Sequence, residues 1–173
     1  GMVLLVSSSR RAYSEDAEKL FDEGTEAVKR GDFQTGQKLL SRAFELKQTV
    51  DIAANLAFAE EQLGMKADAA NHLAYALALF PMTGDQEAKV RMTASLVDLK
   101  KGLQELVIRS DSGTIITVDG KRAGVIPLPA AVYVEPGKHV VEGVNGKLSG
   151  KREIEAVAGA SMEVLLVLEA GAV

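Results

Sequence analysis

The apolar residues of this chain change their spacing near residue 105, and this change constrains the fold more than any other feature. Before it, apolar and small residues recur at steps of three and four, as in Leu40, Ala43 and Phe44. That is the period of an amphipathic helix. After it, Val, Ile and Gly predominate and apolar residues alternate with polar ones, as along a half-buried strand. The pattern predicts an α+β protein in which the helices and the strands form segregated modules.

The length of the chain, 173 residues, allows one ordinary domain or two small ones. We predict a leader or tag remnant over 1–14, with disorder as one reading of it, a helical domain over 15–104 and a β domain over 105–173. Gly1 before Met2 is typical of a cleaved purification tag. The apolar run Val3–Val6 and the small residues Ala12 and Ser14 are similar to the end of a signal peptide. Export to the periplasm or cell envelope is the expected location, mainly as an implication of the family resemblance described below, and a cytoplasmic protein is the alternative.

The helical half repeats itself with a period of about 33 residues. Gly31 and Gly64 each lie between two helical stretches, where a glycine supplies a turn conformation that costs other residues energy. In this register the small or apolar residues also correspond: Gly24 with Ala57, Gly36 with Ala69, Leu40 with Leu73, and Ala43 with Ala76. Such a repeat predicts stacked helix hairpins. An unrelated helix bundle with the same spacing is the alternative.

These residues, together with Asn55-Leu56-Ala57 and Pro81, resemble the tetratricopeptide repeat (TPR) family. The resemblance implies two antiparallel hairpins, over Ala17–Val50 and Val50–Pro81. A fifth helix over Asp85–Glu105 is expected to cap the second hairpin. Its start is expected to be capped by Thr83 or Asp85, and its buried face to contain Val90, Ala94, Val97 and Leu103.

In TPR arrays the first helix of each hairpin lines a groove that holds a protein or peptide partner. By the same register, the resemblance implies that the groove of this chain contains the following residues: Phe21, Asp22, Thr25, Lys29, Ala54, Asn55, Phe58 and Gln62. Phe21 and Phe58 would be apolar anchors, and Asn55 would bond a peptide backbone. The alternative for the two phenylalanines is packing within the array or against the leader.

The second half predicts six or seven short strands separated by turns. Asp119-Gly120 and Asn145-Gly146 are strong hairpin signals, and Met162–Glu169 is expected to be the last strand. This pattern is typical of a small antiparallel β-sandwich or barrel. The order Val118-Asp119-Gly120, then Pro127, then Pro136-Gly137-Lys138-His139 resembles the PEGA domain. That resemblance implies a non-enzymatic module of bacterial surface and envelope proteins.

We find no residue set that predicts catalysis, a metal site or a cofactor. The chain has no Cys, and its two His residues, His72 and His139, lie in different halves. His72 is interpreted as a surface or partly buried helix residue, and His139 as a structural residue bonded near its turn. The adjacent carboxylates of Glu60 and Glu61 are expected on a solvated helix face, because neighbours on a helix point apart.

Charge argues against a nucleic-acid-binding protein, and hydropathy argues against an integral membrane protein. The net charge of −4 is unlike the basic surface of a nucleic-acid-binding protein. No apolar stretch has the roughly 18 residues of an integral membrane span. We therefore expect a non-enzymatic protein-interaction or scaffold protein of the bacterial cell envelope. The alternatives are a cell-wall glycan-binding module, for which Tyr133 is the one tyrosine of the β half, and a homo-oligomer that pairs through Met162–Leu168.

Overall fold

The computed structural model describes the backbone of residues 4–171 and the side chains of residues 15–171. The chain forms two compact units, Gly1–Thr93 and Ala94–Val173. The helices are α1 (Leu4–Lys29), α2 (Phe33–Leu46), α3 (Val50–Gln62), α4 (Lys66–Ala78) and α5 (Gln86–Lys100). The strands are β1 (Gln104–Arg109), β2 (Ile115–Val118), β3 (Lys121–Val125), β4 (Val132–Val134), β5 (Gly137–Asn145), β6 (Leu148–Ala156), β7 (Ser161–Leu165) and β8 (Glu169–Ala170). Helices and strands are segregated along the chain, as predicted.

The segment predicted as a leader, residues 1–14, coincides from residue 4 onwards with the first part of α1. Gly1, Met2 and Val3, and the side chains up to Ser14, lie outside the described residues. The predicted tag remnant and export signal therefore remain predictions. Helix α5 crosses the division between the two units, which falls after Thr93, whereas the strands begin at Gln104.

The first unit contains two helix hairpins, with α1 packed against α2, α3 against α4, and α2 against α3. Gly31 and Gly64 close the hairpin turns at φ values of 79° and 72°, which confirms the predicted role of the two glycines. Small residues allow the helices to approach closely. A Cβ on Gly36 would lie 2.5 Å from Cγ2 of Val28 and 3.2 Å from the carbonyl oxygen of Gly24.

Helix α5 does not cap the second hairpin in the predicted way. None of its residues is buried, and Val90, Ala94 and Val97 are exposed. Leu103 is buried, but it lies beyond the end of the helix, next to β1. The prediction of its start was correct, since Oδ1 of Asp85 accepts hydrogen bonds from the N–H groups of Glu87 and Ala88.

The second unit is built from two sheets, with strand orders β4-β1-β7 and β3-β2-β5-β6-β8. Adjacent strands are antiparallel, as predicted, except that β1 and β7 are parallel, with Ile108 opposite Val164. The predicted last strand over 162–169 is divided into β7 and β8. Inward side chains of both sheets form one core, in which the following are completely buried: Leu106, Ile116, Val141 and Val164.

Candidate partner-binding site

Helix α3 contains four of the predicted groove residues, and the one aromatic side chain of this helix is among them. Ala54 is half-buried. Phe58 is 48% exposed, and its ring packs edge-on against Phe33 at a centroid distance of 6.1 Å. Gln62 is exposed one turn further along, and Asn55 is half-buried one turn before. Nδ2 of Asn55 donates to the carbonyl of Asp51 at 2.9 Å. This face therefore presents an apolar ring between two amides.

The other predicted groove residues lie on α1, where Thr25 and Lys29 are bonded within their own helix. Asp22 and Lys29 are exposed, and Phe21 and Thr25 are half-buried. Oγ1 of Thr25 donates to the carbonyl of Asp22 at 3.0 Å, and Nζ of Lys29 lies 2.6 Å from Oε1 of Glu26. Helices α1 and α3 touch directly. Among the described side chains, no hydrogen bond, ion pair or ring contact joins the α1 set to the α3 set.

A buried polar pair connects the two helices of the second hairpin. Glu60 is 2% exposed, and its Oε2 lies 2.7 Å from Nδ1 of His72 on α4. The ring of Phe44 on α2 packs edge-on against His72 at 5.0 Å and against Tyr75 at 5.2 Å. The prediction that Glu60 lies on a solvated face was therefore wrong, whereas His72 is partly buried, as expected.

The burial of Glu60 could have been predicted from its spacing relative to the small and apolar residues of α3. Ala53, Leu56 and Ala57 are buried on α3, and Glu60 follows them at the next position of the same helical stripe. A carboxylate at such a position needs a polar partner on the neighbouring helix, because an unpaired buried charge is costly. His72 supplies that partner.

His139 and Asp119 form a second polar pair, at the turn between β2 and β3. Nδ1 of His139 lies 2.6 Å from Oδ2 of Asp119, and Nε2 lies 2.7 Å from the carbonyl oxygen of Glu135. Oδ1 of Asp119 accepts the N–H of Val140 at 2.8 Å. The pair holds Asp119 at a φ of 51°, which confirms the predicted turn role of Asp119 and the structural role of His139.

Tyr133 is not available as a flat platform for a sugar ring. It is 5% exposed, its hydroxyl donates to Oε2 of Glu105 at 2.7 Å, and Nζ of Lys100 lies 5.7 Å from its ring centre. Burial and the bond to the charged Glu105 raise the pKa of Tyr133. Bonds from Lys100 and Tyr133 lower the pKa of Glu105. Glu105 also accepts a hydrogen bond from Oγ of Ser161 at 3.1 Å, so the Tyr133 hydroxyl belongs to a bonded polar group of the second unit.

Comparison with family models, curated proteins and solved structures gives no significant match to this chain. Between residues 15 and 171, the side chains form no group of three or more His, Cys, Asp or Glu that would hold a metal ion. Among the helices described, none has both the length and the apolar character of a membrane span.

Proposed function

We propose that this chain is a non-enzymatic protein-interaction scaffold of the bacterial cell envelope, and that the exposed face of its first unit holds a protein or peptide partner. The observation that carries the proposal is the exposure of Phe58 between Asn55 and Gln62 on α3. Aromatic side chains are enriched where protein surfaces meet, because they bury a large area with few rotatable bonds. The envelope location rests on the TPR and PEGA resemblances.

The chemistry of this face suits an extended peptide or a small apolar patch with polar edges. Covering the exposed part of the Phe58 ring would contribute roughly 1 kcal/mol, because full burial of such a side chain stabilises by about 1.5–3 kcal/mol. Asn55 and Gln62 would bond polar groups at either side of the ring. Asp22 and Lys29 on α1 are exposed charges of opposite sign and would contribute to specificity more than to affinity.

Site-specific photo-crosslinking tests this proposal. A photoreactive phenylalanine analogue is placed at position 58, and the full chain is illuminated in bacterial envelope extract. The matched control places the same analogue at position 79, since Leu79 is 49% exposed in the same unit but lies outside the proposed face. We expect defined protein adducts from position 58 that are absent from position 79. Equal adducts from both positions would overturn the assignment of this face.

A second experiment separates loss of binding from loss of fold. Phe58→Ser and Leu79→Ser remove apolar side chains of similar exposure, and circular dichroism reports whether each variant stays helical. The captured protein is then titrated against both variants. We expect Phe58→Ser to weaken binding about tenfold, which corresponds to about 1.4 kcal/mol, while Leu79→Ser binds normally. If both folded variants bind as tightly as the parent protein, Phe58 is not part of the partner site.

Self-association along β7 is a second candidate function, favoured by one observation. Leu165 in β7 and Val167 just beyond it are 54% and 67% exposed, and β7 is an edge strand. Edge strands with exposed apolar side chains pair readily with another chain. A molecular mass that rises with concentration, and that Leu165→Lys returns to the monomer value, would support this candidate.

A further inference from the structure

Strand β1 extends further than its neighbour β4. Their antiparallel pairing begins at Gln104 opposite Val134 and ends at Leu106 opposite Val132. On its other side, β1 pairs with β7 as far as Arg109. The last part of β1, from residue 107 onwards, therefore has a strand on one side only.

The backbone bonds of β1 show which groups face the side without a strand. The N–H of Glu105 donates to Ala160, and the carbonyl of Arg109 accepts from Leu166, so these two residues direct their backbone groups towards β7. Because backbone groups alternate along a strand, those of Ile108 are directed to the opposite side. No hydrogen bond to the N–H or carbonyl of Ile108 is found there among the residues that the structure describes.

A cleft of about 530 Å³ lies on this side of β1. Its floor is formed by β1 from Val107 onwards and by Ser110, and its opposite wall is the segment 126–131. That wall is apolar and contains Ile126, Pro127, Leu128, Ala130 and Ala131. The volume is within the range of sites for small ligands and short peptides.

One cationic side chain lines the cleft. Arg109 is the one charged residue among those that line it. Nε of Arg109 lies 3.1 Å from Oε2 of Glu163, and both side chains are more than half exposed. Such a surface ion pair contributes little, so the guanidinium can also bond a carboxylate of a ligand.

We infer that this cleft binds an extended peptide segment of another protein, which continues β4 and pairs with Ile108 of β1. The segment supplies a backbone N–H and a carbonyl to Ile108, apolar side chains to the wall at 126–131, and a carboxylate to Arg109. Backbone groups inside proteins are nearly always paired, and an extended peptide is the ligand that offers a donor and an acceptor at strand spacing. This site lies in the second unit and is independent of the helical face.

Amide exchange followed by NMR on the full chain tests the first step of the inference. In the free protein, the Ile108 amide should exchange faster with solvent than the amides of Val107 and Arg109, which face β7. The probes are acetylated, amidated pentapeptides X-Val-X-Val-Asp, with X as Thr, Lys or Asp. At least one should slow the exchange of Ile108 when added at millimolar concentration. A slow Ile108 amide in the free protein, or no binding by any of the three peptides, would overturn the inference.

N-methylation of the bound peptide distinguishes strand pairing from apolar contact. Two versions are made, each methylated at alternate residues, so that the methyl groups occupy one or the other edge of the peptide. Strand pairing requires that one version binds and the other loses binding, because only one edge faces β1. If both bind equally, the peptide is not paired with Ile108.

A variant that fills the cleft provides the matched test on the protein. Ala130→Phe should raise the dissociation constant of the peptide about tenfold or more. Ala158→Phe places the same ring at an exposed position of the second unit and should leave the dissociation constant of the peptide unchanged. Equal affinity of the two variants would exclude the cleft. Slow exchange of Ile108 that depends on protein concentration, without peptide, would assign the cleft to a second copy of the chain and overturn the choice of ligand.

Discussion

Nδ1 of His139 lies 2.6 Å from Oδ2 of Asp119, and Nε2 of the same ring lies 2.7 Å from the carbonyl oxygen of Glu135. Both partners are acceptors, so the two contacts are satisfied together only by the protonated imidazolium. Burial lowers the pKa of His139, but the bonds to Asp119 and Glu135 outweigh it, and the pKa is raised. Burial likewise raises the pKa of Asp119, and the bonds from His139 and Val140 outweigh it, so that pKa is lowered.

These directions predict the pH range in which the pair stabilises the second unit. The contribution of His139 is complete below the ordinary pKa of 6.5 and is lost as pH rises through its higher folded value. The contribution of Asp119 is complete above 3.8 and is lost as pH falls through its lower folded value. We therefore expect the free energy of unfolding of the second unit to fall as pH rises above 6.5. Amide exchange of Val140, measured between pH 6 and 9, reports this loss.

His139→Gln is the control for this pH dependence, because glutamine keeps a side-chain donor but has no charge to lose. Its unfolding free energy should be lower at pH 6 and nearly constant up to pH 9. A variant that keeps the full slope would assign the pH dependence to another group.

Asp119 has two roles in its turn, and two substitutions separate them. Asp119→Ala removes the bonds to His139 and Val140, and it leaves a Cβ at a φ of 51° without the polar side chain that favours this conformation. We expect it to lower the free energy of unfolding by about 1–2 kcal/mol, since the carboxylate is half exposed. Asp119→Gly removes the same bonds but accepts this φ without strain, so it should be less harmful in chemical denaturation. Equal losses would show that the conformational strain is negligible.

The turns and the helix hairpins were predictable because they depend on local residue chemistry. Gly31 and Gly64 adopt the positive φ that the repeat implied, and Asn145-Gly146 closes the β5–β6 hairpin. The parallel pairing of β1 with β7 was not predictable in the same way. Glu105 and Ser161, which are bonded across it, are 56 residues apart, and nothing in a strand's own pattern specifies the direction of so distant a neighbour.

Helix α5 shows that the spacing of apolar residues along a helix does not by itself predict their burial. Val90, Ala94 and Val97 have the spacing of a buried stripe, yet all three are exposed. The spacing shows which side of a helix is apolar, whereas burial requires a neighbouring element at the right distance. The same distinction applies to the candidate site. The register placed Phe58 on an accessible face, but it did not show that Thr25 and Lys29 are bonded within α1.

Because Glu60 and His72 are paired, we predict that the stability effects of substituting them are not additive. His72→Leu alone leaves the carboxylate of Glu60 buried without its partner, which should cost about 2–3 kcal/mol of unfolding free energy. Glu60→Leu combined with His72→Leu replaces both polar groups by apolar ones and should cost less than His72→Leu alone. Urea denaturation of the two single variants and the double variant measures the coupling. Additive losses would show that the two side chains do not interact energetically.

For Gly36→Ala we predict a change in unfolding free energy that is opposite in sign to the one expected from helix propensity. On an open helix surface, Gly→Ala stabilises by up to about 1 kcal/mol, because alanine has less backbone freedom in the unfolded chain. At position 36 the new Cβ would lie 2.5 Å from Cγ2 of Val28 and 3.2 Å from the carbonyl of Gly24, and the carbonyl belongs to the rigid backbone of α1. We therefore expect Gly36→Ala to lower the unfolding free energy by about 1–3 kcal/mol, as overpacking does. The control is Gln34→Ala, at an exposed position of the same helix, and thermal unfolding of the two variants is compared. If Gly36→Ala were as stable as this control, α1 and α2 would be able to separate easily.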